Sequence, residues 1–210
     1  MEDLKFIEET HTYVKNGKVL KSVTQILQEL FPEKYGNVPK YILENKAKYG
    51  TELHKYIEMI EKKKPKDPIA YIKRKYKPNI YQVESLKQYL KIKKDYDIKI
   101  TDSEKMVSYK DFYAGTMDLK GFVDEKSAII DIKTTYEYDE AWVTWQNSLY
   151  ELADGKVNAL YCMWLPKGGL GKLYKLKRVN KKLLKILIGE KNGKDWLQNI
   201  DGKFFGKRTK

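Results

Sequence analysis

The chain has 210 residues, of which 41% are hydrophobic and 13% aromatic, enough apolar material to give one large domain a real core. Its 42 basic residues against 29 acids leave a net charge of +13, which favours a polyanionic partner; only Arg74, Arg178 and Arg208 are arginines, however, and abundant lysine, isoleucine, asparagine and tyrosine also follow from an AT-rich genome. A single cysteine, Cys162, excludes an intramolecular disulfide, a zinc ribbon and an Fe–S cluster built from several thiolates, and no apolar run has the length of a membrane span.

The acidic start MEDLKF is not a signal peptide, so a cytoplasmic protein is expected. Residues 4–20 read as a small hairpin turning at Asn16-Gly17. Ser22-Val-Thr-Gln25 has the form of a capping box and opens a helix through Ile26, Leu27 and Leu30 that ends before Pro32. A second helical stretch begins at Pro39, breaks at Gly50-Thr51 and resumes as TELHKYIEMIEKKK, with lysines in its last turn where the helix dipole favours them. Pro65 and Pro68 close that segment. A third helix is expected over 81–94, with Val83, Leu86, Leu90 and Ile92 mostly on one side.

The pattern then turns strand-like over 98–109, 112–123 and 127–133. A helix follows at 139–153, where Trp142, Trp145, Leu149 and Leu152 recur at helical spacing as core residues. Strands at 157–165 and 171–178 are joined by Pro166-Lys-Gly-Gly, and Cys162 sits in the first of them as a buried structural thiol. Helices near 180–190 and 193–200 and a basic tail at 202–210 complete the chain. The expectation is one α/β domain over 1–210: a hairpin and helical N-terminal part (1–96), a core (97–180), and C-terminal helices with the tail (181–210).

Within AIIDIK, Asp131 and Lys133 project to one side of a strand and Ile130 and Ile132 to the other. Asp118 lies on the preceding strand. A two-residue loop at 124–125 sets Asp118 opposite Asp131, a loop at 125–126 sets it opposite Lys133, and a three-residue loop breaks the parity unless a bulge restores it. Two carboxylates on one face are hard oxygen ligands that suit Mg²⁺ or Mn²⁺. A metal so held polarises a phosphate and activates a water, with the lysine orienting that water or offsetting the developing charge. The plainer reading of the same residues is a salt-bridged surface hairpin.

Other residues carry two readings as well. His54 stands four residues before Glu58, a ready partner within a plain helix, and His11 is a hairpin residue. Glu104, beside a lysine on a strand, is ordinarily solvated. The basic runs at 62–66 (with Lys62, Lys63 and Lys64) and 73–77 (with Arg74), and the tail, are phosphate contacts or simply solubilising surface.

Four elements stand in order: Gly50-Thr-Glu-Leu-His54, Gly115-Thr-Met-Asp118, Ile129-Ile-Asp-Ile-Lys-Thr134 and Gln146-Asn-Ser-Leu-Tyr150. Together they resemble the G-x-x-x-H, G-x-x-D, D-x-K and Q-x-x-x-Y elements of the PD-(D/E)xK nuclease superfamily, in its RecB-like exonuclease branch of phage type. The first acid departs mildly from the pattern, lying in GTMD and not in a literal Pro-Asp. The resemblance implies a restriction-endonuclease-like core, a mixed central sheet flanked by helices. It implies a Mg²⁺- or Mn²⁺-dependent phosphodiesterase acting on DNA, an exonuclease of recombination, repair or replication, in the host cytoplasm if the chain is phage-encoded. Asp118, Asp131 and the Ile132 carbonyl are then metal ligands, with His54 as an additional ligand and Glu104 as a contributing acid. Lys133 is the catalytic lysine. Gln146 and Tyr150, four apart on one helical face, position the lysine strand or the DNA. Two alternatives remain: a non-cleaving DNA-binding module of the same fold, and a restriction-type endonuclease, against which the scarcity of arginine for guanine contacts speaks. Strand polarity, strandedness and oligomeric state stay open.

Overall fold

The computed structural model describes residues 3–32 and 40–190, with backbone alone for 40–46; the Pro39 helix start, the helix expected at 193–200 and the tail at 202–210 lie outside the described residues. Asn16 and Gly17 both take positive φ, 49° and 80°. That is the turn geometry matching strand twist, and it folds β2 (Thr12–Lys15) onto β3 (Lys18–Ser22). The N-terminal unit has one more strand than a hairpin, because β1 (Leu4–Ile7) pairs antiparallel with β2. Ser22 then caps α1 (Val23–Leu30) in the expected box: its Oγ accepts from the Gln25 amide at 3.0 Å and the Gln25 Oε1 accepts from the Ser22 amide at 2.8 Å.

Two helical expectations need correction. The helix α2 (Lys40–Lys63) runs through Gly50-Thr51 without a break; the glycine serves close packing, since a Cβ there would lie 3.0 Å from the Thr134 hydroxyl. Pro68 does not close a segment but opens one. It occupies the first turn of α3 (Pro68–Tyr76), where its missing amide proton costs nothing, and Asp67 caps the Ala70 amide at 2.9 Å. A second capping box, Asn79 with Gln82, starts α4 (Ile80–Asp95).

The strands β4 (Lys99–Tyr109), β5 (Tyr113–Val123), β6 (Lys126–Lys133), β7 (Ala159–Trp164) and β8 (Lys172–Leu176) join the first three in one sheet, with α5 (Glu140–Asp154) between β6 and β7 and α6 (Lys181–Leu187) after β8. The order is β1-β2-β3-β5-β6-β7-β8, with β4 alongside β5. The pairs β3–β5 and β6–β7 are parallel and the rest antiparallel, so the sheet is mixed. Helices cover both faces. On one, α1 and α5 pack Leu27, Trp142 and Leu149 over Met117, Ile129 and Cys162. On the other, α2, α3 and α4 pack Leu53, Ile72 and Tyr89 over Leu119, Ile130 and Ile132. The chain is therefore an α/β fold with a mixed central sheet flanked by helices.

The β5–β6 turn is Asp124-Glu125, both at positive φ (46° and 63°), with Val123 paired to Lys126. Of the registers open to the sequence, this one sets Asp118 opposite Asp131. On its other long edge β5 has β4 throughout, but towards β6 it is only partly covered. β3 pairs with Tyr113 and Ala114, β6 with Leu119 to Val123, and between them residues 115–118 have no strand partner on that edge among the described residues. The strand also changes the face it shows here: Met117 packs under α5, whereas Leu119, two residues on, packs on the opposite side with α2 and α4. Among the described residues, no helix is long and apolar enough to cross a membrane.

The C-terminal residue of α5, Asp154, fastens that helix to the sheet. Its carboxylate, 6% exposed, accepts from Lys105 of β4 at 2.7 Å and from Lys120 of β5. The two lysines hold it below the usual carboxylate range despite burial, which alone raises it. Asp154→Asn is expected to destabilise the fold by about 1–2 kcal/mol, the scale of hydrogen bonds to a charged group discounted for partly exposed lysines, measured by urea unfolding at pH 7. Because the folded value lies below the unfolded one, this contribution is present above the ordinary aspartate pKa and fades as pH falls through the folded value. The variant should therefore lose less stability than the native chain on acidification.

Candidate metal centre

Beyond Ile130 the strand β6 leaves the β5 ladder, and a buried amide left without an acceptor costs about 1–3 kcal/mol. Asp118 supplies that acceptor: its Oδ2 takes the Ile132 N–H at 2.6 Å. The other carboxylate oxygen, Oδ1, lies 3.4 Å from His54 Nδ1, which is itself 3.7 Å from Glu104 Oε1. His54 comes from α2, and Glu104 from β4, directly across from Asp118 between the pairs Ser103–Leu119 and Lys105–Met117. The Glu104 backbone sits at φ 49°, a left-handed conformation that costs a non-glycine residue on the order of 1–3 kcal/mol. Among the described residues, His54, Glu104 and Asp118 each offer one ligand atom, all within 4.8 Å of one another.

A second group meets the first from the α5 side. Lys133 Nζ lies 3.0 Å from Asp131 Oδ1 and 2.8 Å from Oδ2, and donates to Gln146 Oε1 at 2.9 Å. Gln146 in turn donates through Nε2 to the Tyr150 hydroxyl at 3.3 Å. Asp131 is 2% exposed. Both its oxygens stand near Lys133, but Oδ2, in ion-pair reach of that ammonium, receives no properly directed hydrogen bond. Ile132 lies between the acid and the lysine; the contact it shows is through its amide, and its carbonyl remains a ligand by expectation.

The electrostatics follow from crowding charges in a partly dry site. Burial alone would push the His54 imidazolium down, but Asp118 and Glu104 outweigh it and carry the group up to about 10. Asp118 is lowered against its own burial by His54, Lys133 and the Ile132 amide. Asp131 is pushed up to about 6 by burial, against the pull of Lys133. Burial likewise lifts Glu104. Lys133 would be lowered by burial, yet Asp131 and Asp118 hold it above its usual value, so it is an ammonium. Without a metal, protons on His54 and Lys133 balance the acids. A cation taking that role needs hard oxygen donors and tolerates one imidazole, which suits Mg²⁺ or Mn²⁺; the three converging donors of His54, Glu104 and Asp118 fit such an ion.

The structure brings together His54, Glu104 and Asp118, three residues that the resemblance groups at one site. The plainer readings of two of them do not hold: His54 does not turn to Glu58, which pairs with Lys62, and Glu104 lies beside His54. Cys162 is fully buried, with its thiol pushed up by burial, as a structural residue should be. Two glycines explain spacing the sequence left unexplained. A Cβ on Gly115 would lie 2.8 Å from the Tyr150 ring and 3.0 Å from Val23, and one on Gly50 would meet Thr134, the residue after Lys133. Missed altogether was the hydrogen bond of 2.9 Å between the hydroxyls of Tyr13 and Thr116, beside Asp118; nothing in the local sequence marks it. The basic residues are not brought here. Lys62, Lys63 and Lys64 stand at and beyond the end of α2, more than two helical turns from His54, and Arg74 is exposed on α3.

No family model and no curated protein matches the chain. Among solved structures, the crystal structure of SSO0001 aligns over 79% of this chain and 80% of that one, at 14% identity and a TM-score of 0.33.

The glycine contacts separate by what they would strike. Gly115→Ala forces a ring in the packed core to move and should cost about 1–3 kcal/mol, as overpacking does. Gly50→Ala meets only a rotatable hydroxyl and should cost under about 1 kcal/mol. Denaturant unfolding of the two variants checks the order; equal costs would mean the Tyr150 ring is not held as described.

Proposed function

We propose that the chain is a divalent-metal-dependent deoxyribonuclease with a restriction-endonuclease-like core, acting as an exonuclease on DNA. The observation that carries this reading is the convergence of His54, Glu104 and Asp118 at the split between β3 and β6, next to the Asp131–Lys133 pair. These residues fall in the motif order that resembles the PD-(D/E)xK nucleases. A surface ion pair explains Asp131 and Lys133, but it does not explain why an imidazole and two further carboxylates share the same few ångströms. The net charge of +13 favours a polyanionic substrate.

In this reading His54, Glu104, Asp118 and Asp131 hold the ion. When bound, it supplies Lewis-acid polarisation of a phosphate oxygen and a water of lowered pKa. The residues themselves account for the rest. Asp118 sets the opening of the split by tying its carboxylate to the Ile132 amide, so the acids keep their separation before substrate arrives. Lys133 remains cationic and, with two of its protons committed to Asp131 and Gln146, has one to direct at the attacking water or at a phosphate oxygen as negative charge grows there. Gln146 fixes that direction, and Tyr150 fixes Gln146. Protonation of the leaving oxygen falls to solvent or to an acid at the split.

With Mg²⁺ or Mn²⁺, the purified chain should release mononucleotides from one end of labelled linear DNA and leave covalently closed circles intact. Asp131→Asn and Lys133→Ala should each lower cleavage by at least about a thousand-fold, the scale of losing a charge-stabilising group, with unchanged circular dichroism. Full activity in both would sink the reading, as would binding without cleavage under every divalent metal tried; cut circles would convert it to an endonuclease.

His54→Ala should act differently, through the ion. The metal concentration for half-maximal cleavage should rise at least the 10–100-fold that loss of a supporting group costs, while the rate at saturating metal falls less than in Lys133→Ala. A metal titration of the cleavage rate reads this directly.

A further inference from the structure

The open edge of β5 leads somewhere. At Gly115 and Thr116 it forms one wall of a cleft of about 420 Å³, enclosed by the N-terminal hairpin on one side and the start of α1 on the other. The volume is in the range of small-ligand pockets. The Tyr150 side chain also lines it, and two residues along β5 from Thr116, about 7 Å at strand spacing, stands Asp118. The cleft and the metal centre are thus neighbouring stretches of one split in the sheet.

The lining has a definite chemistry. Phe6 and Tyr13 lie with ring centroids 4.8 Å apart, and His11 meets Phe6 edge-on at 5.8 Å. Facing them from α1 are the hydroxyl of Thr24 and the amide of Gln28, both exposed to the cleft. Among the described residues, no lysine, arginine, aspartate or glutamate lines it. A phosphate would find no lysine or arginine among them, and a metal no carboxylate. A flat, neutral group with donors and acceptors on its rim finds both an aromatic wall and an amide.

We propose that this cleft seats one nucleobase of the DNA strand being cut, so that the attached phosphodiester is delivered to Asp118. The inference deepens the nuclease reading and rests on it for the identity of the strand. It assigns the N-terminal hairpin and α1 a substrate-binding task. It also connects occupancy to the reacting groups, because the wall residue Tyr150 bonds Gln146, which bonds Lys133. Base stacking on aromatic side chains works for every base, so the cleft holds a nucleotide without reading sequence. Seating a base there requires it to be unpaired.

The test uses a pair of single-stranded oligodeoxynucleotides, one intact and one carrying an abasic residue at successive positions from the cleaved end. The native chain should show kcat/KM at least ten-fold lower at one abasic position and little change at the others. Gln28→Trp, which fills the cleft from an exposed helical position, should bring the intact-to-abasic ratio near one at that position; Thr24→Trp does the same from the preceding turn should the first variant fail to fold. No abasic penalty at any position in the native chain, or a penalty of equal size in both filled variants, overturns the proposal. If no DNA is cleaved at all, the nuclease reading fails, and fluorescence anisotropy with the same oligonucleotides still decides this one. An abasic penalty in binding that the filled variants erase supports the cleft, and identical affinities for intact and abasic strands refute it.

Discussion

The hydrogen bond from the Ile132 amide to the Asp118 carboxylate is the constraint on which the site depends. Antiparallel strands normally satisfy one another's amides, and β6 stops doing so for β5 after Ile130. A strand that simply peeled away would bury unpaired polar groups. With a side chain standing in for the missing backbone, the two strands part while the interior remains satisfied. The gap so created is where charged groups from both faces of the sheet reach one another. An Asp is well suited to this task, since one oxygen is spent on the amide and the other still points at His54.

Charges at this density are unstable in isolation. A buried carboxylate lacking a partner costs several kcal/mol, and Asp131, Asp118 and Glu104 lie close together, with burial raising two of the three above the usual range. The molecule offsets this with two cations that differ in permanence. Lys133 is locked between Asp131 and Gln146 and keeps its proton. His54 holds a proton only because the two acids beside it outweigh its burial. Two cations of different character therefore hold the three acids, Lys133 at Asp131 and His54 at Asp118 and Glu104. The Glu104 backbone carries strain at this same cluster, since a left-handed glutamate in a strand persists only where its surroundings hold it.

Much of this was legible in the chain because it follows local rules. The capping box at Ser22, the Asn16-Gly17 turn and the alternation of Ile130, Asp131, Ile132 and Lys133 depend on neighbours within a few residues, and each is found as the spacing indicates. The register of β5 on β6 was narrowed to a few choices by parity alone. What stayed hidden depends on distant partners. Gly50 reads as a helix breaker until Thr134 is seen against it, and Pro68 reads as a terminator until Asp67 is seen capping the turn that follows. His54 shows both sides of this: local spacing offers only Glu58, and it is the ordered motifs that group it with Asp118 and Glu104, which become near only when β4 and β5 pair beneath α2. The third N-terminal strand and the Tyr13–Thr116 bond are hidden for the same reason.

The two-sided origin of the site explains why a sheet must be opened to make it. His54 belongs to the α2 face, whose core is Leu53, Ile57 and Ile132, and Gln146 and Tyr150 belong to the α5 face, whose core is Leu149 and Ile129. A closed sheet separates such groups by its own thickness. Here β5 shows one face at Met117 and the other at Leu119, and Asp118 falls at the changeover, where a single side chain is accessible from both. The helices on each face can therefore be optimised as ordinary packing layers, with Asp154 pinning α5 and Gly50 admitting α2, while their polar residues converge at one point in the plane of the strands.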